Sequence, residues 1–330
     1  MLNDLFSRRV LILLGKGGVG TTTASGALAM LAASRGMRVL AMETDARGPL
    51  SAAFGAKPSL EPVAISDHLS VMLLDGRHAL EEYLRLVMPA GPVLNAVFSS
   101  RLYQFFVQAA PGLRELMALG KVYYEVERKP SDPNRFDLII VDSFASGQAL
   151  SFLKMPSAAR DTFRGSIVSR EADNINRMLR DPSQCATIVV AIPEALAISE
   201  AIETIDELRA IAIEPAAVLL SRVREPGFTT QDLSRFKNAV LKESGSAEGR
   251  RDSKSSRHSA QRMVEIAAQE LQRFDQVTRS ISDLEQHARL PFIRVHEYSG
   301  LSGADLVSRV SNELGQYLPT SPVAGASARA

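Results

Sequence analysis

Residues 10–23 read VLILLGKGGVGTTT, and this stretch decides the fold. Val10 to Leu14 are all branched aliphatics with no polar alternation, the pattern of a strand covered on both faces. The loop Gly15-Lys16-Gly17-Gly18-Val19-Gly20 follows, and Thr21, Thr22 and Thr23 then lead into a helical pattern that runs to Ser34. Glycines let backbone N–H groups turn inward around an anion, and the N-terminus of the next helix adds its positive dipole end. Strand, glycine-rich loop and helix, in that order, make a phosphate cradle.

Outward from the loop, further short apolar runs lie at Val39 to Met42, Leu138 to Val141, Thr187 to Ala191, Ala217 to Leu220 and Pro291 to Val295. Helical patterns lie at Leu196 to Ala210, Gln261 to Gln286 and Gly303 to Tyr317. The alternation predicts an α/β fold whose mostly parallel central sheet is flanked by helices. From residue 79 to 127 the alternation stops, and Leu84, Phe98, Leu113, Leu116, Met117 and Tyr123 mark a helical subdomain inserted between two strands. Residues 243–262, ESGSAEGRRDSKSSRHSAQR, are nearly devoid of apolar side chains and predict a mobile polar loop. One domain over 1–318 and a disordered tail over 319–330 complete the expected organisation.

Composition narrows the function. Lys plus Arg number 38 against 37 for Asp plus Glu, a net charge of +1, which speaks against nucleic acid as the main partner. The single cysteine, Cys185, excludes an intramolecular disulfide and any site that needs two thiolates from one chain. No stretch approaches the ~20 apolar residues that span a bilayer, and the N-terminal apolar run reaches glycine too soon for a signal peptide. These features predict a cytoplasmic protein. His68, His78, His258, His287 and His296 show no paired ligand spacing.

The loop resembles the deviant phosphate loop, GKGGVGK[ST][ST], of the P-loop group that holds the MinD and ParA proteins, nitrogenase iron protein, and the arsenite-pump and tail-anchored-protein-targeting ATPases. Downstream segments resemble the last two. Glu43-Thr44-Asp45-Ala46-Arg47-Gly48-Pro49-Leu50-Ser51-Ala52-Ala53-Phe54 is similar to their STDPAHxLSDAF switch. Residues 138–150, LIIVDSFASGQAL, are similar to hhhhDTAPTGHTL. The resemblance spans residues 8 to 318 and implies a dimeric P-loop ATPase that binds ATP or ADP with Mg²⁺ and handles a protein or hydrophobic client.

Residue by residue, the resemblance implies that Gly15, Lys16, Gly17, Gly18, Val19, Gly20, Thr21, Thr22 and Thr23 hold the phosphates. Lys16 matches the lysine that reaches a partner's nucleotide, Thr22 and Asp142 fall at the Mg²⁺ positions, and Asp45 falls on the aspartate that positions water. Ser221 stands where an asparagine reads adenine in a VNRV pattern. Thr21 stands where the family has its phosphate-binding lysine, and Gln148 replaces a histidine. Loss of one preorganised donor removes two to three decades of rate, about 2.7–4 kcal/mol, so own-site turnover is expected to be impaired. The sequence thus predicts the degenerate subunit of an ATPase pair, as homo- or heterodimer with a related subunit. The alternatives are a nucleotide-free scaffold and a self-sufficient ATPase with a compensating cation, for which Arg47 is the candidate. Neither a zinc nor an arsenite site is expected.

Overall fold

The computed structural model describes residues 2–87, 98, 100, 112–245 and 252–318. Eight strands form one sheet: β1 (Val10–Gly15), β2 (Val39–Glu43), β3 (Val63–Ala64), β4 (Leu69–Leu73), β5 (Leu138–Ala145), β6 (Cys185–Ala191), β7 (Pro215–Val223) and β8 (Phe292–His296). Their order is β3-β4-β2-β5-β1-β6-β7-β8, and every pair is parallel except β3 with β4. The expected α/β fold is therefore the observed one. After β1 the chain crosses to β2 on one side, while β6 lies on the other, so the order reverses at β1. Open α/β sheets bind ligands at the carboxyl ends of strands at such a reversal.

Side chains of β1 point alternately into two apolar layers. Val10, Ile12 and Leu14 join the layer formed with α4 (Leu113–Val126), α5 (Ser146–Thr162), α6 (Ile167–Arg180) and α7 (Ala195–Ala210). Leu11 and Leu13 join the layer formed with α1 (Thr21–Ser34) and α10 (Gly303–Tyr317), where Leu28, Leu31, Val307, Val310 and Leu314 are buried. Two shorter helices, α2 (Pro49–Ala53) and α3 (Gly76–Val87), follow β2 and β4.

The helical stretch between β4 and β5 is described at α3, Phe98, Ser100 and α4. Helices α3 and α4 pack together, with Leu80 and Phe98 buried against Leu84, Leu113 and Met117. The rest of the expected insert, 88–97, 99 and 101–111, lies outside the described residues, as does the expected tail at 319–330.

The mobile loop expected over 243–262 is corrected. Helix α8 (Thr230–Gly245) runs into that segment from one side, and α9 (Asp252–Ala288) occupies it from 252 onward. Residues 246–251 lie outside the described residues. The stretch after 252 has no proline or glycine, and its Ser, Lys, Arg and Gln tolerate a solvated helix. Low apolar content there does not exclude a helix.

Helix α1 opens directly from the glycine-rich loop, so its seating matters. Leu28 is fully buried between α1, the sheet and α10. Leu28→Ala is expected to destabilise the protein by about 3 kcal/mol, whereas Leu196→Ala on the exposed start of α7 should change stability by less than about 0.5 kcal/mol. Urea unfolding of the two variants, compared through their midpoints, checks this.

Candidate nucleotide site

The loop 15–20 runs from the end of β1 over the N-terminus of α1. Gly20 is the N-cap residue with φ of 92°, a conformation that glycine adopts without strain. The first backbone bond of the helix goes from the Ala24 N–H to the Gly20 carbonyl at 2.9 Å. The N–H groups of Thr21, Thr22 and Thr23 are therefore left without a helical acceptor and face the loop. At Gly17 and Gly18 an added Cβ would meet nothing within 4 Å, so the rim of the cradle is open.

Asp142 ends up beside this helix because β5 pairs with β1 in register Leu13↔Asp142. The Thr22 hydroxyl donates to Asp142 Oδ2 at 2.7 Å and the Ser25 hydroxyl donates to Oδ1 at 3.1 Å. Burial pushes the Asp142 carboxyl up to about 6, the two hydroxyl bonds pull against this, and the charges of Glu43 and Asp45 add to it. The expected metal pair, Thr22 and Asp142, is thus brought together. Its donor set, a carboxylate and a hydroxyl below a phosphate cradle, fits Mg²⁺, which takes oxygen ligands alongside nucleotide phosphates. A bound Mg²⁺ would supply the positive charge that this desolvated carboxylate lacks.

The segment that the resemblance makes the first switch, residues 43–54, lies next to it. The Thr44 N–H and hydroxyl both donate to the Asp142 carbonyl, at 3.2 and 3.1 Å. Glu43 is fully buried and accepts from the N–H groups of Leu50 (2.7 Å) and Ser51 (3.2 Å) and from the Ser51 hydroxyl. It caps α2 from the strand below, a role that its place in an apolar strand end hinted at only as an oddity. Asp45 is gripped by Arg47, whose Nε lies 3.0 and 3.1 Å from the two carboxylate oxygens and whose backbone N–H donates at 2.9 Å. These bonds hold the Asp45 carboxyl below the usual range.

Other expected residues are dispersed around the loop. Lys16 pairs with Glu200 on α7 of the same chain, a partner that no sequence spacing could reveal. The Thr21 hydroxyl stands near the end of β1, where a Cβ on Gly15 would come within 3.1 Å of it. Ser221 is buried at the end of β7 and donates its hydroxyl to the Val19 carbonyl. Beyond Ser221 opens a cavity of about 130 Å³ lined by Gly20, Thr23, Ala24, Ser221, Arg222, Val295 and Tyr298, among others. Away from the loop, Cys185 is buried, and its thiol is pushed up to about 12 by desolvation, which leaves it inert. Glu61, His78 and Glu82 bring three ligand atoms within 4.8 Å, but Lys121 Nζ lies 2.9 Å from Glu82 and already neutralises it.

The raised carboxyl of Asp142 gives a signed prediction. A carboxyl whose value is raised on folding favours the protonated folded state, so its charge weakens the fold as pH rises through about 6. Asp142→Asn should therefore stabilise the nucleotide-free protein by at most ~3 kcal/mol at pH 8, an advantage nearly gone at about pH 4. The same variant should lose Mg²⁺-dependent nucleotide binding. Thermal melts across pH and calorimetric titration check the two halves.

Comparison with known proteins agrees with this geometry. Residues 8–172 match the family described as anion-transporting ATPase. ATPase BagA of Mycobacterium tuberculosis is 28% identical over 236 residues, covering 69% of this chain and 68% of that protein. ATPase ASNA1 homolog 2 of Paramecium tetraurelia is 26% identical over 250 residues, covering 64% and 75%. ATPase GET3 of Mycosarcoma maydis is 25% identical over 247 residues, covering 64% and 71%. With strand, loop, helix and both switch segments inside a match that covers half of its length, the chain belongs to the ArsA-type anion-transporting ATPase family.

Proposed function

We propose that this chain is a nucleotide-dependent dimeric switch that binds ATP and ADP with Mg²⁺ at the loop of residues 15–23. It is the weakly hydrolysing half of an ATPase pair. One observation carries the reading: the cradle and its Thr22–Asp142 pair are intact, while Thr21 brings a hydroxyl, turned toward Gly15, in place of a cation. Nucleotide binding is supported by the retained parts and slow own-site turnover by the missing one.

Two cations stand near enough to be weighed as replacements. Arg47 grips Asp45 through both carboxylate oxygens, but its side chain is 89% exposed, so this pair too holds it only weakly. Among the described residues Lys16 is held by Glu200, with its side chain 44% exposed, and an exposed ion pair contributes about 0–1 kcal/mol. Lys16 is therefore free to leave Glu200 and reach a second subunit's nucleotide, which supports the action in trans that the resemblance implies. A protein or hydrophobic client is the partner class, in keeping with the exposed Tyr83, Leu86 and Tyr124 on α3 and α4.

Thr21→Lys is expected to raise steady-state phosphate release from ATP by at least about a hundredfold. Equal rates in the two proteins would show that the lost lysine does not limit turnover. Mixed with a relative that keeps an intact lysine, the wild-type chain should stimulate phosphate release and Lys16→Ala should not. Light scattering should show both forms paired with the relative, because the substitution removes one charge-assisted contact and little area.

A further inference from the structure

Away from the nucleotide loop, helix α3 meets the segment between α2 and β3 at one histidine. His78 and Glu82 stand one turn apart on α3 and share a face, and Glu61 of the facing segment approaches the same imidazole. Both sides of the contact are seated by the backbone. The His78 N–H donates to Asp75 Oδ1 at 2.8 Å in the first turn of α3. The Glu61 N–H donates to the Ser59 hydroxyl at 3.1 Å, and the Ser59 carbonyl accepts from Leu73 of β4 at 2.6 Å.

His78 Nε2 lies 3.7 Å from Glu61 Oε1 and 3.8 Å from Glu82 Oε1. Both separations are too long for a hydrogen bond, and the nitrogen is closed off from solvent with no hydrogen-bond partner among the described residues. Buried polar atoms are rarely left so. A metal ion fits the gap. Zn²⁺ takes imidazole nitrogen and carboxylate oxygen at about 2.0–2.2 Å, which sets two ligands of a tetrahedral ion about 3.4 Å apart. The separations around Nε2 are close to that spacing, and all three ligand atoms lie within 4.8 Å of one another. Glu61 is 73% exposed, so a small turn of its side chain closes the set.

Charge favours the ion as well. Lys121 neutralises Glu82, but it also lies 3.3 Å from Glu125, so one ammonium serves two carboxylates. Arg128 binds Glu125 and Asp132 in turn. The connected group sets four carboxylates, Glu61, Glu82, Glu125 and Asp132, against two cations, and the surplus of two negative charges matches a divalent ion. With Lys121 on Glu82 Oε2 at 2.9 Å, Oε1 is available to the metal. Ligating carboxylates commonly carry such an outer hydrogen bond.

We propose that Glu61, His78 and Glu82 bind one divalent transition-metal ion of the Zn²⁺ class, with water in the fourth position, and that the ion ties the segment before β3 to the base of α3. The imidazole separates this site from the Thr22–Asp142 pair, whose oxygen donors suit Mg²⁺.

The test is calorimetric titration of the full chain with Zn²⁺ in excess Mg²⁺, beside Glu61→Gln and His78→Gln. The wild type is expected to bind one Zn²⁺ that each variant binds at least about tenfold more weakly, the loss that even an outer-shell change causes. Glu61→Gln alters an exposed side chain, so its metal-free melting temperature should match that of the wild type. Zn²⁺ should then raise the melting temperature of the wild type and of neither variant. Co²⁺ in its place should show the visible absorption of a four-coordinate ion, lost in His78→Gln. Absence of Zn²⁺ uptake by the wild type overturns the proposal. So does uptake unchanged by either substitution, or Co²⁺ absorption that survives His78→Gln, which would put the metal on other groups such as the exposed His287 and His296.

Discussion

Asp142 sits at the carboxyl end of β5, almost wholly withdrawn from solvent, and holds the first turn of α1 through the hydroxyls of Thr22 and Ser25. Its carbonyl in turn receives Thr44, so one residue fastens the helix that faces the phosphates to the strand end that begins the first switch. A carboxylate so placed is poorly solvated and short of positive charge. The polar arrangement around Asp142 thus sets a desolvated carboxylate beside the N-terminus of α1 and the glycine-rich loop.

Glu43 extends the same logic to the start of α2. In the switch pattern its position is a serine, and here a buried carboxylate takes two backbone N–H groups and a hydroxyl at the start of α2. The negative end so created lies one strand away from Asp142, in register Glu43↔Asp142. The charge of Glu43 adds to the upward pull on the Asp142 carboxyl.

The strand–loop–helix unit at residues 10–34 and the parallel strands β2, β5, β6, β7 and β8 were legible because buried parallel strands are written as unbroken aliphatic runs. Strand β4 was not read, although Leu69, Val71 and Met72 are buried, because its run is five residues long and interrupted by Ser70. Helix α5 escaped notice for a different reason: Pro156 sits inside it, where proline usually argues against a helix. At the site, Ser25 was within reach of the sequence, since it lies one helical turn after Thr22 and shares its face. Glu200 was not, because its tie to Lys16 joins positions 184 apart in the chain. The bulge at Arg222 leaves no mark in composition, for no glycine or asparagine announces its left-handed backbone.

The two ends of the sheet have a consequence for how copies of this protein can meet. At one margin β3 is only Val63–Ala64 and runs against its neighbour, which gives an incoming strand almost no ladder to join. At the other margin β8 is five residues long and turns Arg294 and His296 outward between buried neighbours. Short margins studded with charge resist edge-to-edge polymerisation. Self-association by sheet extension is thereby discouraged at both rims.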